Sequence, residues 1–155
     1  MRILKFILLL ALIVWLGGIL FFGAVMAPVL FHVLPGPLFG KVVGASLNLL
    51  HWIGMGCAVV IGIATIVMSV RLKRRLNARL AALAGMLILT AASRFAITPR
   101  MEEIRGSLPQ GSDIQQLAPT DPMRMKFDNL HHWSTRLEMG VLLLGLFVVA
   151  DIARE

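Results

Sequence analysis

The stretch from Phe127 to Glu138 carries the side chains of this sequence that are best suited to chemistry. On a helix, spacings of four, three and four residues place four of them on one face: Phe127, His131, Ser134 and Glu138. This polar face enters an apolar segment, where a membrane helix would ordinarily be apolar. We therefore interpret it as one wall of a binding or packing site.

Two other apolar segments carry polar residues at a similar expected depth. Asn48 and His51 lie on one of them, and Arg94 lies on the other. An ionisable group inside a membrane costs roughly 2.5–3.5 kcal/mol on insertion scales, so Arg94 and Glu138 are each expected to have a partner. The simplest pairing joins Arg94 to Glu138, with the remaining polar side chains as hydrogen-bonding neighbours.

A metal ion or haem is one candidate ligand of this cluster. His51 and His131 come from different segments, and imidazoles that face each other across a helix bundle hold haem axially or chelate a transition metal. Glu138 is a candidate third ligand. Met123 and Met125 carry thioether sulfur atoms, which suit Cu(I). Haem and copper are therefore the candidate cofactors.

Two further interpretations stay open. Arg94 can hold an anionic or polar ligand, as in a carrier or a sensor. The cluster can also serve helix packing alone, in a structural or partner-binding membrane subunit. The sequence contains no serine nucleophile elbow, phosphate loop or HExxH motif, so hydrolytic and phosphoryl-transfer chemistry have no support. Whether the protein is an enzyme is left open.

The composition indicates the elements that position these residues. Of the 155 residues, 58% are hydrophobic and 15% are charged, against about 45–50% and 25% in soluble domains. The apolar residues form long runs, which satisfy their backbone polar groups in lipid only as helices. We predict a single-domain, all-α integral membrane protein. The net charge of +7 is better explained by a lipid surface than by nucleic acid.

The runs predict a four-transmembrane-helix bundle, with Pro28 kinking or ending the first helix and Pro99 ending the third. Asp121 and Pro122 predict the start of the fourth helix, which follows a long polar loop. At 1.5 Å per residue this extended helix is roughly 45 Å long, so its first two turns should project from a hydrocarbon core of about 30 Å. The predicted helices cover about residues 4–31, 39–70, 78–98 and 122–152.

Charge predicts the orientation of this bundle. With four spans, both termini and the basic turn from Arg71 to Arg79 share one side, which carries the larger excess of positive charge. The positive-inside rule places that side in the cytoplasm, so the protein is predicted to lie in the cytoplasmic (inner) membrane with its polar cluster in the outer half. The basic turn is expected to bind anionic headgroups. A stripe of small residues on the second helix also permits a homo-oligomer.

Four motifs resemble the transmembrane-protein-205-like family: WLGGILFFGAVMAPVLF, LPGPLFGKVVG, ITPRMEEIR and FDNLHHWS. The resemblance implies a four-helix membrane bundle with no established reaction. Animal relatives are linked with resistance to platinum drugs, which suggests metal handling or trafficking. The family's polar positions correspond to Arg100, Phe127, His131 and Ser134. The WLGG motif and membrane-embedded histidines give a weaker likeness to copper-resistance D proteins and to short haem-binding membrane protoporphyrinogen oxidases.

Together these observations define the predicted site. The candidate metal ligands are His51 and His131. The candidate residues for an organic ligand are Asn48, Arg94, Arg100, Ser134 and Glu138.

Overall fold

The computed structural model describes residues 2–72, 77–109 and 112–154, and within them every regular element is helical. Six α-helices are joined by two π-helical turns and a short 3₁₀ turn. In chain order they are α1 (Arg2–Phe21), a π turn (Phe22–Met26), α2 (Ala27–Val33), α3 (Gly36–Leu72), α4 (Asn77–Ala92), a second π turn (Ser93–Ile97), α5 (Thr98–Gly106), the 3₁₀ turn (Ile114–Gln116) and α6 (Pro122–Ala153).

Three helical stretches in the described residues are long and apolar enough to cross a membrane. They are Arg2–Val33, Gly36–Arg71 and Asn77–Gly106, with mean hydropathies of 2.7, 2.3 and 1.8. The fourth long helix, α6, spans 32 residues and is not among these three stretches. Three such helices make this an integral membrane protein.

Pro28 and Pro99 lie inside long helices instead of ending them. Each is the second residue after a π turn, where backbone bonds reach back five residues, as in the bond from Ala27 N–H to the carbonyl of Phe22. A proline cannot donate this bond, and its ring clashes with a carbonyl of the preceding turn in a regular helix. The wider π turn relieves that conflict. The third stretch therefore continues through Pro99 to Gly106, beyond its predicted end.

The helices pack most closely in the half of the bundle that contains the two termini. A continuous apolar core runs through this half, with α1 against α3 and α4 against α6. Trp15 is 1% exposed and lies directly on Gly54, while Leu16 lies directly on Gly145. A side chain at either glycine would overlap these groups, so glycine is required for the close approach of the helices.

Arg79 is buried in this half and is not part of a solvated basic turn. Its side chain is 0% exposed, and its Nε and Nη2 donate to Oδ2 of Asp151 at 2.9 and 2.7 Å. Asp151 on α6 therefore neutralises Arg79 inside the bundle, and headgroup binding by the basic turn stays a prediction. Arg71 is exposed at the same end. The rest of the predicted headgroup site, residues 73–76, lies outside the described residues.

The opposite half, which we call the loop end, is covered by the connection between α5 and α6. Ile104, Ile114 and Phe127 form a second buried cluster there. The carboxylate of Asp113 lies against Gly36 at the start of α3, where the helix dipole favours a negative charge. Asp121 caps α6, as predicted, by accepting hydrogen bonds from two backbone N–H groups of its first turn. The loop is thus fastened to α3, α5 and α6.

Candidate ligand-binding site

A cavity of about 760 Å³ lies at the loop end of the bundle. Its walls come from α2, α3, α5 and α6, and from the loop that follows α5. Four phenylalanines are among its mainly apolar lining residues, namely Phe22, Phe31, Phe39 and Phe127. This volume lies within the roughly 300–1,000 Å³ typical of small-molecule sites, which are also mostly apolar with a few polar groups.

The polar face of α6 lines this cavity, as its spacing predicts. From the loop end inwards, Phe127, His131, Ser134 and Glu138 all contribute to the wall. Ser134 is buried, whereas His131 is exposed towards the mouth. The four side chains therefore present apolar, imidazole, hydroxyl and carboxylate groups in sequence along one wall.

Glu138 is paired with His51 at the inner end of the cavity. The distance between His51 Nε2 and Glu138 Oε1 is 2.6 Å, and the side chains are 2% and 16% exposed. The histidine is thus inside the helix packing, while the carboxylate still reaches the cavity wall. A partly exposed carboxylate with one close hydrogen-bond donor can also accept a bond from a ligand.

Arg94 does not pair with Glu138, contrary to the expectation from the sequence. Its guanidinium lies over the rings of Trp52 and Phe95, at 6.0 and 5.5 Å, and its Nε has no hydrogen-bond partner among the described residues. Arg94 lies within the second π turn, where the winding differs from that of an α-helix and changes the direction of the side chains. Glu138 is satisfied by His51 instead.

The other two residues of the predicted organic-ligand site lie away from the cavity. The Oδ1 atom of Asn48 is buried on α3 without a hydrogen-bond partner among the described residues, and Asn48 is not part of the cavity lining. Arg100 is exposed on α5 and is also outside the lining. The structure therefore groups Ser134 and Glu138 at the cavity, and it leaves Asn48, Arg94 and Arg100 outside it.

The described residues contain no group of three or more His, Cys, Asp or Glu side chains placed to hold a metal ion. His51 directs Nε2 at Glu138, and the ring of His131 lies 6.4 Å from that of His132. Met123 packs into the cluster at the loop end, whereas Met125 is 58% exposed. The metal pair of His51 and His131 stays a prediction.

Charged side chains surround the wider, loop-end part of the cavity. Arg105 Nη1 donates to the carbonyl of Gly40 at 3.0 Å, and its guanidinium lies 4.9 Å from the centre of the Phe127 ring. Glu102, one turn earlier on α5, reaches the same wall of α3 near Gly44. Sequence reasoning missed both residues as part of the site, because it placed residues 101–108 in the polar loop beyond Pro99, at most as a separate short helix, instead of on a helix that continues from the membrane.

The helical bundle, with three stretches apolar enough to cross a membrane, defines the class as integral membrane protein. Residues 10–107 match the model of a domain of unknown function, DUF4149, and the chain belongs to this family. The match covers most of α1 and continues to the end of α5, so the polar face of α6 lies outside it. No curated protein and no solved structure matches the chain.

Proposed function

We propose that this protein is a four-span membrane protein that binds a small amphipathic organic molecule in its loop-end cavity. The single observation that carries the proposal is the cavity itself: an apolar space of about 760 Å³ that ends at the carboxylate of Glu138. A ligand with an apolar body and a polar head matches this distribution of groups, with the head at the inner end.

The four-span topology rests on the length and direction of the helices. α6 has 32 residues and packs along α4 and α1, both of which belong to membrane-spanning stretches. Its charged residues are compatible with a span because Glu138 is paired with His51 and Asp151 with Arg79. By the positive-inside rule, both termini lie in the cytoplasm, and the cavity then faces the outer half of an inner membrane.

An organic ligand is favoured over a metal ion or haem. The Nε2 atom of His51 is already bound to the Glu138 carboxylate at 2.6 Å, and its Nδ1 atom is buried in the helix packing, outside the cavity lining. The cavity is wide and mainly apolar, whereas a bare metal site needs several converging donor atoms. Haem remains the natural alternative for an apolar space of this size, and an absorption spectrum of the purified protein separates the two.

A purely structural role is the second candidate function, and the His51–Glu138 pair supports it. The pair joins α3 to α6 and fixes their register, whatever the cavity contains. This role predicts no bound molecule, so a test of occupancy distinguishes it from ligand binding.

The test is to fill part of the cavity by a substitution and to measure which small molecules purify with the protein. Leu47 lines the cavity on α3, whereas Leu49, on the same helix, is 62% exposed. Leu47→Trp should therefore occupy ligand space, and Leu49→Trp is the matched control facing lipid. Both variants and the wild type are purified from membranes in dodecyl maltoside, and small molecules are extracted and quantified by mass spectrometry against the amount of protein.

We expect a non-detergent molecule at a near-stoichiometric level with the wild type and with Leu49→Trp. Its level should fall at least about fivefold with Leu47→Trp, because the indole ring intrudes into the space that the ligand body would occupy. Equal levels in all three samples, with the Leu47→Trp protein folded and monodisperse, would rule out the cavity as the binding site.

A further inference from the structure

The charges that line the cavity are predominantly negative. Its carboxylates belong to Glu102, Asp113, Asp128 and Glu138, and its guanidinium groups to Arg105 and Arg124. With neutral histidines, acids outnumber bases two to one. Such a lining disfavours an anionic ligand, because like charges brought together in a partly desolvated site cost free energy.

Both arginines are already bound to protein groups. Arg105 donates to the carbonyl of Gly40 and stacks on Phe127. Arg124 donates from Nη1 to the carbonyl of Leu117 at 2.6 Å, and its Nε lies 3.8 Å from Asp128. These cations therefore hold the loop against the helices and are poorly placed to receive an anionic ligand.

Two of the acidic groups, in contrast, keep accepting capacity towards the cavity. Glu138 uses Oε1 to bind His51, and within the described residues its Oε2 accepts no hydrogen bond. Glu102 is exposed on α5 and lies across from Gly44. One carboxylate thus lies at the inner end of the cavity and another at its wider part.

Aromatic rings complete a surface that suits a positive charge. Phe31 and Phe39 meet edge to face, with ring centres 5.4 Å apart, and Phe22 adds a third ring on the same side. The faces of aromatic rings attract cations, and they do so more strongly where water is excluded. An apolar body and a positive head can therefore both be accommodated.

We propose that the ligand is a lipophilic organic cation, with an ammonium-like or phosphonium-like charge on an apolar body. This inference rests on the proposed function and specifies the class of its ligand. Two sources share this chemistry: a free organic cation, or the ammonium group of a membrane lipid whose chain enters the cavity between α2 and α6. In either case the positive charge lies towards Glu138 and Glu102.

The experiment compares two probes of the same shape and opposite charge, tetraphenylphosphonium and tetraphenylborate. Their binding to the full-length protein in dodecyl maltoside is measured by equilibrium dialysis, with the Leu47→Trp variant as the blank for partition into micelles. We expect tetraphenylphosphonium to bind the wild type at least about tenfold more tightly than tetraphenylborate, since charge complementarity governs which partner is accepted.

Two neighbouring glutamates provide a matched pair of variants that leave the bundle core intact. Glu102 lines the cavity and Glu103 does not, although both are exposed on α5. Glu102→Gln should weaken tetraphenylphosphonium binding about threefold, the effect of one partly exposed charge, and Glu103→Gln should leave it unchanged. Glu138→Gln should weaken it about tenfold, because this carboxylate is less exposed and less screened.

The outcomes separate the ligand class from the proposed function. If both probes bind the wild type equally, or tetraphenylborate binds better, and both are lost with Leu47→Trp, the cation inference is wrong while the cavity remains a binding site. If neither probe binds the wild type above the Leu47→Trp blank, the proposed function itself fails.

Competition by lipids identifies the source of the cation. Phosphatidylethanolamine and phosphatidylglycerol are each added to the micelles, because only the former carries an ammonium group. Displacement of the probe by phosphatidylethanolamine alone assigns the site to an ammonium lipid, and displacement by neither lipid assigns it to a free organic cation. Equal displacement by phosphatidylglycerol would overturn the inference, since that lipid is anionic.

Discussion

Removing Asp151 should destabilise the bundle more than removing its partner Arg79. The guanidinium of Arg79 is 0% exposed and donates two hydrogen bonds to one carboxylate oxygen of Asp151, whose side chain is 31% exposed. Asp151→Leu takes this carboxylate away from a fully buried cation and should cost about 3–5 kcal/mol, as for a broken buried pair. Arg79→Leu leaves a carboxylate that water can reach, so its cost should be only about 1–2 kcal/mol.

Thermal unfolding in dodecyl maltoside, followed by tryptophan fluorescence, measures this asymmetry. At about 2–4 °C per kcal/mol for a chain of this size, Asp151→Leu should lower the midpoint by roughly 6–20 °C and Arg79→Leu by roughly 2–8 °C. The double variant should be more stable than Asp151→Leu, because it removes both charges. Arg71→Leu, an exposed basic residue at the same end, is the control and should change the midpoint by less than about 2 °C. If Asp151→Leu melts like Arg71→Leu, the buried pair does not stabilise this half.

Two other predictions concern packing and topology. Gly54→Leu should lower the melting midpoint by several degrees, because Trp15 occupies the space of the new side chain and overpacking costs about 1–3 kcal/mol. Gly56 faces open space, so Gly56→Leu is the control and should leave the midpoint unchanged. Similar losses in both variants would refute the contact between Trp15 and Gly54. The topology is tested with single cysteines in a Cys57→Ser background and a membrane-impermeant maleimide. Ser112→Cys should react in intact cells, and Arg154→Cys should react only after lysis. The reason is that the loop and the C-terminus are proposed to lie on opposite sides of the membrane. Labelling of both positions in intact cells would contradict the four-span topology.

Several features were predictable from the sequence because they depend on local spacing or composition. Long apolar runs indicate helices in lipid, and Asp121 before a proline indicates a helix start. The spacing of Phe127, His131, Ser134 and Glu138 correctly placed them on one face, since α6 is regular through this region. Each of these predictions needs only one helix.

The features that sequence reasoning missed depend on how two helices are rotated relative to each other. A π turn changes the direction of Arg94, and only the packed arrangement shows that His51, instead, reaches Glu138. The sequence places Arg79 in a basic turn, and only the packing of α6 shows that Asp151 lies beside it. The cavity, likewise, arises from a gap between helices, which no periodicity along one helix records.

The predicted end of the third helix at Pro99 was wrong for a similar reason. Proline usually ends or kinks a helix, but a π turn before Pro99 lets the helix continue to Gly106. This continuation carries Glu102 and Arg105 to the wall of the cavity. Without it, the charged part of the site would have remained assigned to a loop.

The most direct test of ligand binding is an experimental structure of the wild-type protein purified from membranes, for example from crystals grown in lipidic cubic phase. We predict continuous density inside the cavity between α2 and α6, with one end within hydrogen-bond or ion-pair distance of the Glu138 carboxylate. The same density should be absent from Leu47→Trp and present in Leu49→Trp. A cavity that is closed by the helices, or that contains only water in the wild type, would contradict the account and leave the His51–Glu138 pair with a structural role alone.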